Sequence, residues 1–480
     1  GMHFPTIEIK GFDPEKMAHK KQVTLDSIII TQPYINVNLN KPKSAKNKNR
    51  QPLPYLAFNN LNIRDGNTDI VHADLNFGET VAISDINLSI DSVQIDSTTT
   101  ISKLVNKLQS TKLKMSNIAV TTPDSLYQFS VASINYDGVL NEINLNDIVL
   151  DPIYSRDEFR RHHEFQKDWF DMELAEIKIS GFQALKWIEE ERVHLNTITI
   201  TRLLLDTHKD KRLPLPPDSE KPLPQALLSS IPIPIFIDQI KLFSSYVSHS
   251  EYSPTGTLPG VIFFQDLNAE INNITNDSLK LSMDPIMTFH STGTMMNTGH
   301  FTVDVDFDLE DENQFYYFRG ELVDMNLTEL NELLENTAFV HIKDGYNKRV
   351  TFNFEANHDY ALGEMKFYYN DLKIMVLNQK AETHKHHAAS IKSFFANTFV
   401  VNKKNPHLLF VRQGDIFHHR NVNKAIFNYW AKALLSGVVS SIGAKNNKKE
   451  IKKLNEELKA QLDRKRDETL RRLGNQTNAN

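Results

Sequence analysis

The sequence predicts a mainly β protein: long curled antiparallel sheets of repeated bulged strands, forming a β-groove or a sandwich, with α-helices at the C-terminal end. Three observations predict it. A short apolar pattern recurs along most of the chain, the opening segment returns at a fixed offset, and the apolar period lengthens from two to a helical spacing only near the end.

The recurring pattern is apolar-x-apolar, two mostly polar residues, then apolar-x-apolar. It appears at Val23-Thr-Leu25-Asp-Ser-Ile28-Ile-Ile30 and at Leu56-Ala-Phe58-Asn-Asn-Leu61-Asn-Ile63. It returns at Val81 to Leu88, Leu113 to Val120, Ile143 to Leu150 and Met172 to Ile179. Further copies run from Val193 to Ile200, Ile235 to Leu242 and Ile262 to Ala269. Each half alternates with period two and so has one apolar face. The two-residue step would turn the second half over in a regular strand. One extra residue, a β-bulge, restores the face and bends the strand. Each copy therefore predicts a bulged strand with four inward apolar side chains. The uneven spacing, roughly thirty residues, suits a meander with variable loops better than a rigid solenoid.

A larger repeat lies over the first. Ile7-Glu-Ile9-Lys-Gly11-Phe12 matches Ile177-Lys-Ile179-Ser-Gly181-Phe182, an offset of 177 − 7 = 170. The same offset aligns Val23 with Val193, Leu25 with Leu195, Ile28 with Ile198, and Pro52-Leu53-Pro54 with Pro222-Leu223-Pro224. Duplication of this kind lengthens a surface. The stretches Lys41 to Pro54 and Lys209 to Pro224, rich in Lys and Pro, read as exposed connections. Contact with anionic headgroups is the alternative reading of their charge. Phe301-Thr-Val303-Asp-Val305-Asp-Phe307-Asp-Leu309 alternates without error, as expected of a sheet with one dry and one wet side.

The helical period appears from about Asn423 to Ile442, with Phe427, Trp430, Leu434 and Val438 on one stripe and Gly443 closing it. Two readings of this helix stay open: a cap packed on the sheet, or a segment lying on a membrane surface. A charged helix follows from Lys448 to Arg472, with Ile451, Leu454, Leu458 and Leu462 on one side. The domain reading is a first β half over 1–175, a second over 176–320, a β/α segment over 321–380, terminal strands with the amphipathic helix over 381–443, and a charged tail over 444–480.

Composition narrows the function classes. The chain of 480 residues has a net charge of −6, mixed in sign, which argues against nucleic acid as a partner. With no cysteine, disulfides, thiolate metal sites and cysteine nucleophiles are excluded. No run of about twenty apolar residues is present to span a bilayer. The opening Gly1-Met2-His3, with a strand pattern already under way at Ile7, reads as a cut made after a signal or membrane anchor.

Gly363-Glu-Met365-Lys-Phe367-Tyr-Tyr369-Asn-Asp371-Leu372-Lys-Ile374 resembles the C-terminal signature of AsmA-like proteins, where a strand opening on Gly leads into a Tyr-x-Asp-Leu step. Gly363, Tyr369, Asp371 and Leu372 carry that likeness, and the bulged strands resemble repeats of the wider AsmA/TamB group. The resemblance covers most of the chain from Ile7 to Leu377 and implies a periplasmic cell-envelope protein, usually anchored in the inner membrane. It further implies a long sheet with an apolar inner surface, a role in outer-membrane biogenesis or lipid transport, and no catalytic residues.

An apolar sheet face must be covered by chain, partner or ligand. Lipid binding along a groove is the first functional expectation, with Val23, Leu25, Ile28, Ile30, Leu61, Ile63, Val193, Leu195, Ile198, Ile200, Ile240 and Leu242 as lining residues. An acyl chain entering such a groove gains about 0.8 kcal/mol per buried methylene. The alternative is a structural scaffold or protein-interaction module with a closed β core. The helices over 423–472 would meet a membrane surface or other envelope proteins. No enzyme activity, cofactor or metal is expected, because no recognised catalytic motif occurs. Histidines cluster at His162-His163, at His384 with His386-His387, and at His418-His419; His-x-His-His could bind a transition metal, but an exposed loop is the better reading. Glu310-Asp311-Glu312 reads as a solvated turn.

Overall fold

A computed structural model describes residues 1–20, 22–38, 55–71, 80–96, 99, 106–217, 220–377, 395–398, 402–406, 410–460 and 464. Strands dominate it, and two compact units divide the chain: 1–216 with 228–297, and 217–227 with 298–480. The connection 41–54 and the histidines His384, His386 and His387 lie outside the described residues, as does Leu462.

The first unit holds β1 (Met2–His3), β2 (Thr6–Lys10), β3 (Gln22–Thr31), β4 (Tyr34–Asn38), β5 (Tyr55–Val71), β6 (Thr80–Ile95) and β7 (Thr111–Thr121). It continues with β8 (Tyr127–Asp137), β9 (Glu142–Pro152), β10 (Asp168–Ser180), β11 (Val193–Asp210), β12 (Ile235–Tyr252), β13 (Gly260–Thr275) and β14 (Ile286–Met295). The paired order is β2-β3-β5, then β6 to β14 in sequence, with β4 continuing the line of β3 along β5 and β1 beside β4. The mainly β class with C-terminal helices holds. One departure is that the sheet is mixed: β3 and β4 run parallel to β5, and β11 runs parallel to β12. Parallel neighbours need long crossovers, and the chain lengths 39–54 and 211–234 supply them.

The 170-residue offset recurs in the pairing. Met2 faces Ile35 as Met172 faces Leu205, and Ile9 faces Ile28 as Ile179 faces Ile198. A short helix precedes each of the two parallel pairs, α1 (Pro14–Lys20) and α2 (Ala184–Glu190). Ahead of each helix a glycine with φ near +70° passes close to the following strand. A Cβ on Gly11 would sit 2.1 Å from Asp26 Oδ2, and one on Gly181 would sit 2.2 Å from Asn196 Cγ.

The two-residue steps behave in two ways. Register shifts of the bulge kind occur at β5–β6, β6–β7, β12–β13 and β13–β14. From β7 to β11 the register runs unbroken and only one rung is missing, at Asn117/Ala132, Ala132/Asp147, Asp147/Ala175 and Ala175/Arg202. Here no strand carries an extra residue relative to its neighbour, because the neighbour makes the same step at the same height. Asp85, Asn117, Asp147 and Asp266, each the second polar residue of its copy, have φ between 47° and 52°. Their short polar side chains tolerate that left-handed conformation. Asn117 Nδ2 also donates to Asp85 Oδ2 at 3.0 Å, tying two steps together.

The predicted outcome of the step is nevertheless met. Met115 and Ile118, Leu145 and Ile148, and Leu174 and Ile177 pack in one cluster, although each pair straddles a step. Val23, Leu25 and Ile28 do the same with Leu56, Phe58 and Leu61.

The second unit contains β15 (Gly299–Asp308), β16 (Tyr316–Asn326), β17 (Val340–Ala356), β18 (Tyr360–Leu377), β19 (Phe395–Thr398) and β20 (Gln413–His419). They pair antiparallel in the order β15-β16-β17-β18-β20, with β19 against the far end of β18. Helix α3 (Asn331–Ala338) links β16 to β17, and α4 (Ile426–Ser441) packs on β18 and β20. The core is sealed: Val305, Tyr316, Ala361, Tyr369, Ile416 and Ala433 are all fully buried. Part of the stretch expected to be an exposed connection is built into this core. Leu223 is fully buried, and Gln225 Nε2 donates to the carbonyls of Gln314 and Phe315 at 3.0 and 3.1 Å. The flanking prolines keep it out of the ladder, but Leu223 still has an apolar side chain to bury.

Candidate functional site

The pairing in the first unit brings the apolar positions into rows that cross the strands. Directly paired residues point to the same face of a sheet. One row runs Ile7, Ile30, Ile63, Leu88, Leu113, Tyr136, Ile143, Ile179, Ile198, Ile240, Ile271 and Phe289, one residue from each of twelve adjacent strands. Every member is apolar or aromatic. At ~4.8 Å per strand the row is roughly 50 Å long. A second row, beyond the step, runs Val120, Phe129, Leu150, Met172, Leu205, Val247, Phe264 and Met295.

These rows hold or flank all twelve predicted lining residues. Ile30, Ile63, Ile198 and Ile240 lie in the long row itself. Ile28 pairs with Leu61 in the adjacent row, and Ile200 pairs with Leu242 in its counterpart toward the other edge. Val23 and Leu25 pair with Leu56 and Phe58, while Val193 and Leu195 pair with Ile235 and Ile237. Of the twelve, only Leu25 is buried, at 8% exposure; the other eleven are half-buried. In the long row, Ile7 is exposed and the remaining members are half-buried. This face therefore differs from the sealed core of the second unit.

Opposite the middle of the long row, the reverse face carries ion pairs. Lys112 and Asp137 meet at 3.0 Å, and Lys178 and Glu142 at 2.7 Å. Tyr136 marks the one hydroxyl in the long row. Burial, with Asp137 beside it, holds its phenol above the usual value. Eight members of the long row lie outside the predicted lining set: Ile7, Leu88, Leu113, Tyr136, Ile143, Ile179, Ile271 and Phe289. A signal was available for most of them: Leu88, Leu113, Ile143 and Ile179 fill end positions of copies already recognised. β8 also carries the pattern, as Phe129-Ser-Val131-Ala-Ser-Ile134-Asn-Tyr136.

The four signature residues all lie on β18, where Gly363, Tyr369 and Leu372 pack closely and the exposed Asp371 takes left-handed backbone. A Cβ on Gly363 would fall 2.1 Å from the carbonyl oxygen of Asn353, so the strand approach requires glycine. Tyr369 is fully buried and its hydroxyl donates to the Asn402 carbonyl at 2.9 Å. Asp371 has φ of 54°, and Leu372 is buried at 3% exposure.

Helix α4 is the cap of the second unit's sheet. Trp430 Nε1 donates to the Tyr316 hydroxyl at 3.2 Å, and its ring stacks on Phe318 with centroids 4.7 Å apart. The stripe differs from the one expected. Tyr429, Ala433, Gly437, Ser440 and Ser441 face inward, whereas Phe427 is 72% exposed. Close approach selects the small residues: a Cβ on Gly414 of β20 would lie 2.4 Å from the Gly437 carbonyl oxygen.

Among the described residues, no group of three or more His, Asp or Glu is placed to hold a metal ion. His162 stacks on Tyr154 at 3.8 Å, and His163 packs edge-on to Phe159, its pKa lowered by burial. The aspartates of β15 are engaged by Arg319, which reaches Asp306 at 2.6 Å and Asp304 at 3.9 Å. Also among the described residues, no helix is long and apolar enough to cross a membrane.

Fold and face together define an open mixed sheet with an apolar row in the first unit and a capped antiparallel sheet in the second. No family model matches the chain, and no curated protein matches it either.

Proposed function

We propose that the protein is a non-enzymatic lipid-binding protein of the cell envelope that holds or moves phospholipid or fatty-acyl chains along the long apolar row. The observation that carries this reading is the unbroken, half-exposed line of apolar side chains from Ile7 to Phe289. Acyl chains are the ligands whose own shape is a long apolar line. Ten methylenes laid on such a face contribute on the order of 8 kcal/mol before ordering costs. The resemblance of Gly363 to Ile374 to the AsmA-like signature supports a periplasmic location, inner-membrane attachment and a part in outer-membrane biogenesis. The capped core of the second unit favours a scaffold role for that unit, with membrane or protein contacts through 423–472.

Native mass spectrometry of gently purified protein, followed by lipid extraction, tests the reading. Stoichiometric phospholipid or fatty acid is expected, and the double substitution Ile63→Glu with Ile198→Glu is expected to abolish it while leaving the β circular-dichroism signal unchanged. Protein that stays empty after incubation with phospholipid vesicles would sink the proposal.

A further inference from the structure

Among the described residues no strand pairs with the outer side of β1 or β2, and the internal repeat shows what such an edge holds. Met2, Phe4, Ile7 and Ile9 are exposed by 72, 41, 51 and 57%. At the 170-residue offset they correspond to Met172, Leu174, Ile177 and Ile179 of β10. Those four pair on their outer side with Leu150, Ile148, Leu145 and Ile143 of the antiparallel strand β9. Leu174 is only 6% exposed as a result. The inner pairing is the same at both places, Met2 to Ile35 and Met172 to Leu205. Pro5 corresponds to Ala175, which sits at the missing rung, so a residue without an N–H interrupts no ladder bond there.

We infer that the β1–β2 edge accepts one antiparallel strand from a partner polypeptide, in the register that β9 takes on β10. The partner places apolar side chains on Ile9, Ile7, Phe4 and Met2, with its own two-residue step opposite Pro5. Charge sets the rest. Lys178, whose counterpart is Glu8, faces Asn144, and Ser180, whose counterpart is Lys10, faces Glu142. The partner strand therefore carries a basic residue opposite Glu8 and an acidic one opposite Lys10. A second copy of this chain pairing β2 with β2 about its centre would set Glu8 against Glu8, which disfavours self-pairing. This inference stands apart from the lipid reading.

A labelled synthetic peptide with the sequence of residues 142–152 carrying Asn144→Lys serves as the probe, titrated by fluorescence anisotropy into the full chain. Saturable binding is expected, weakened about tenfold or more by Ile9→Asp, a substitution at an exposed site that leaves folding intact. Glu8→Lys is expected to reverse the preference toward the same peptide with Asn144→Asp. Absence of binding, or binding indifferent to Ile9→Asp, overturns the inference. So does a dimer in sedimentation that Ile9→Asp dissolves, since the edge would then belong to a second copy.

Discussion

Asp85, Asn117, Asp147 and Asp266 occupy left-handed backbone in the middle of strands, where most residues are excluded. Asp147 is exposed and turns the apolar face back inward between Leu145 and Ile148. Asp147→Gly should change stability by no more than about 0.5 kcal/mol, whereas Asp147→Val should cost about 1–2 kcal/mol, because a β-branched side chain clashes at positive φ. Urea denaturation of the two variants distinguishes them. His208 offers a pH test at the same scale. It is 5% exposed, its Nδ1 lies 2.8 Å from the Ser250 hydroxyl, and burial pushes its pKa down to about 4. Above pH 6.5 the ring is neutral in folded and unfolded chains alike. Below it the unfolded chain takes up a proton that the buried ring refuses until about pH 4, so stability falls across that window and then levels. The loss is on the order of 3 kcal/mol, and His208→Gln should flatten it in thermal melts between pH 7 and 4. Burial works against the charge on Glu251, but His249 and Lys211 outweigh it and hold the carboxyl down to about 2. That adds a further loss as pH falls from 4.5 toward 2.

Single elements show how far local pattern reaches. The helix read over 423–442 is present as α4, and its end at Gly443, with φ of 79°, follows from the glycine. Its inward face from Ala433 onward was not legible, because a hydrophobic stripe marks the most apolar residues, while the sheet below Ala433, Gly437 and Ser441 admits small ones. A Cβ on Gly437 would lie 2.7 Å from Ile416 Cγ1 and 3.1 Å from Met365 Cε. Gly437→Val should therefore lift α4 from β20 and cost about 1–3 kcal/mol, seen as a lower urea midpoint and a red shift of Trp430 emission as its stack on Phe318 loosens. The strands were legible for the opposite reason. Period two and the polar pair at each step are local facts, and Val23, Leu25 and Ile28 needed no neighbour to declare one face. The parallel pairings of β3 with β5 and β11 with β12 depend on which distant segment docks where, and apolar spacing within a strand is silent on that.

Across the whole molecule the apolar rows are the least local feature, since each member comes from a different strand. Ile30 and Ile198 stand out within their own segments, but their membership of one line with Tyr136 and Phe289 depends on the strand order and register. The 170-residue repeat came closest to announcing it, because equal offsets in sequence became equal pairings in space. From β7 to β11 each strand makes its step level with its neighbours and keeps the register unbroken. A hairpin carrying two more steps at the same height would fit between existing strands without moving any other side chain off its rung. It would lengthen both rows by about 10 Å. The span of this surface is thus adjustable in whole hairpins, as a ladder is extended by whole rungs, and chain length becomes a direct measure of the distance the sheet can bridge.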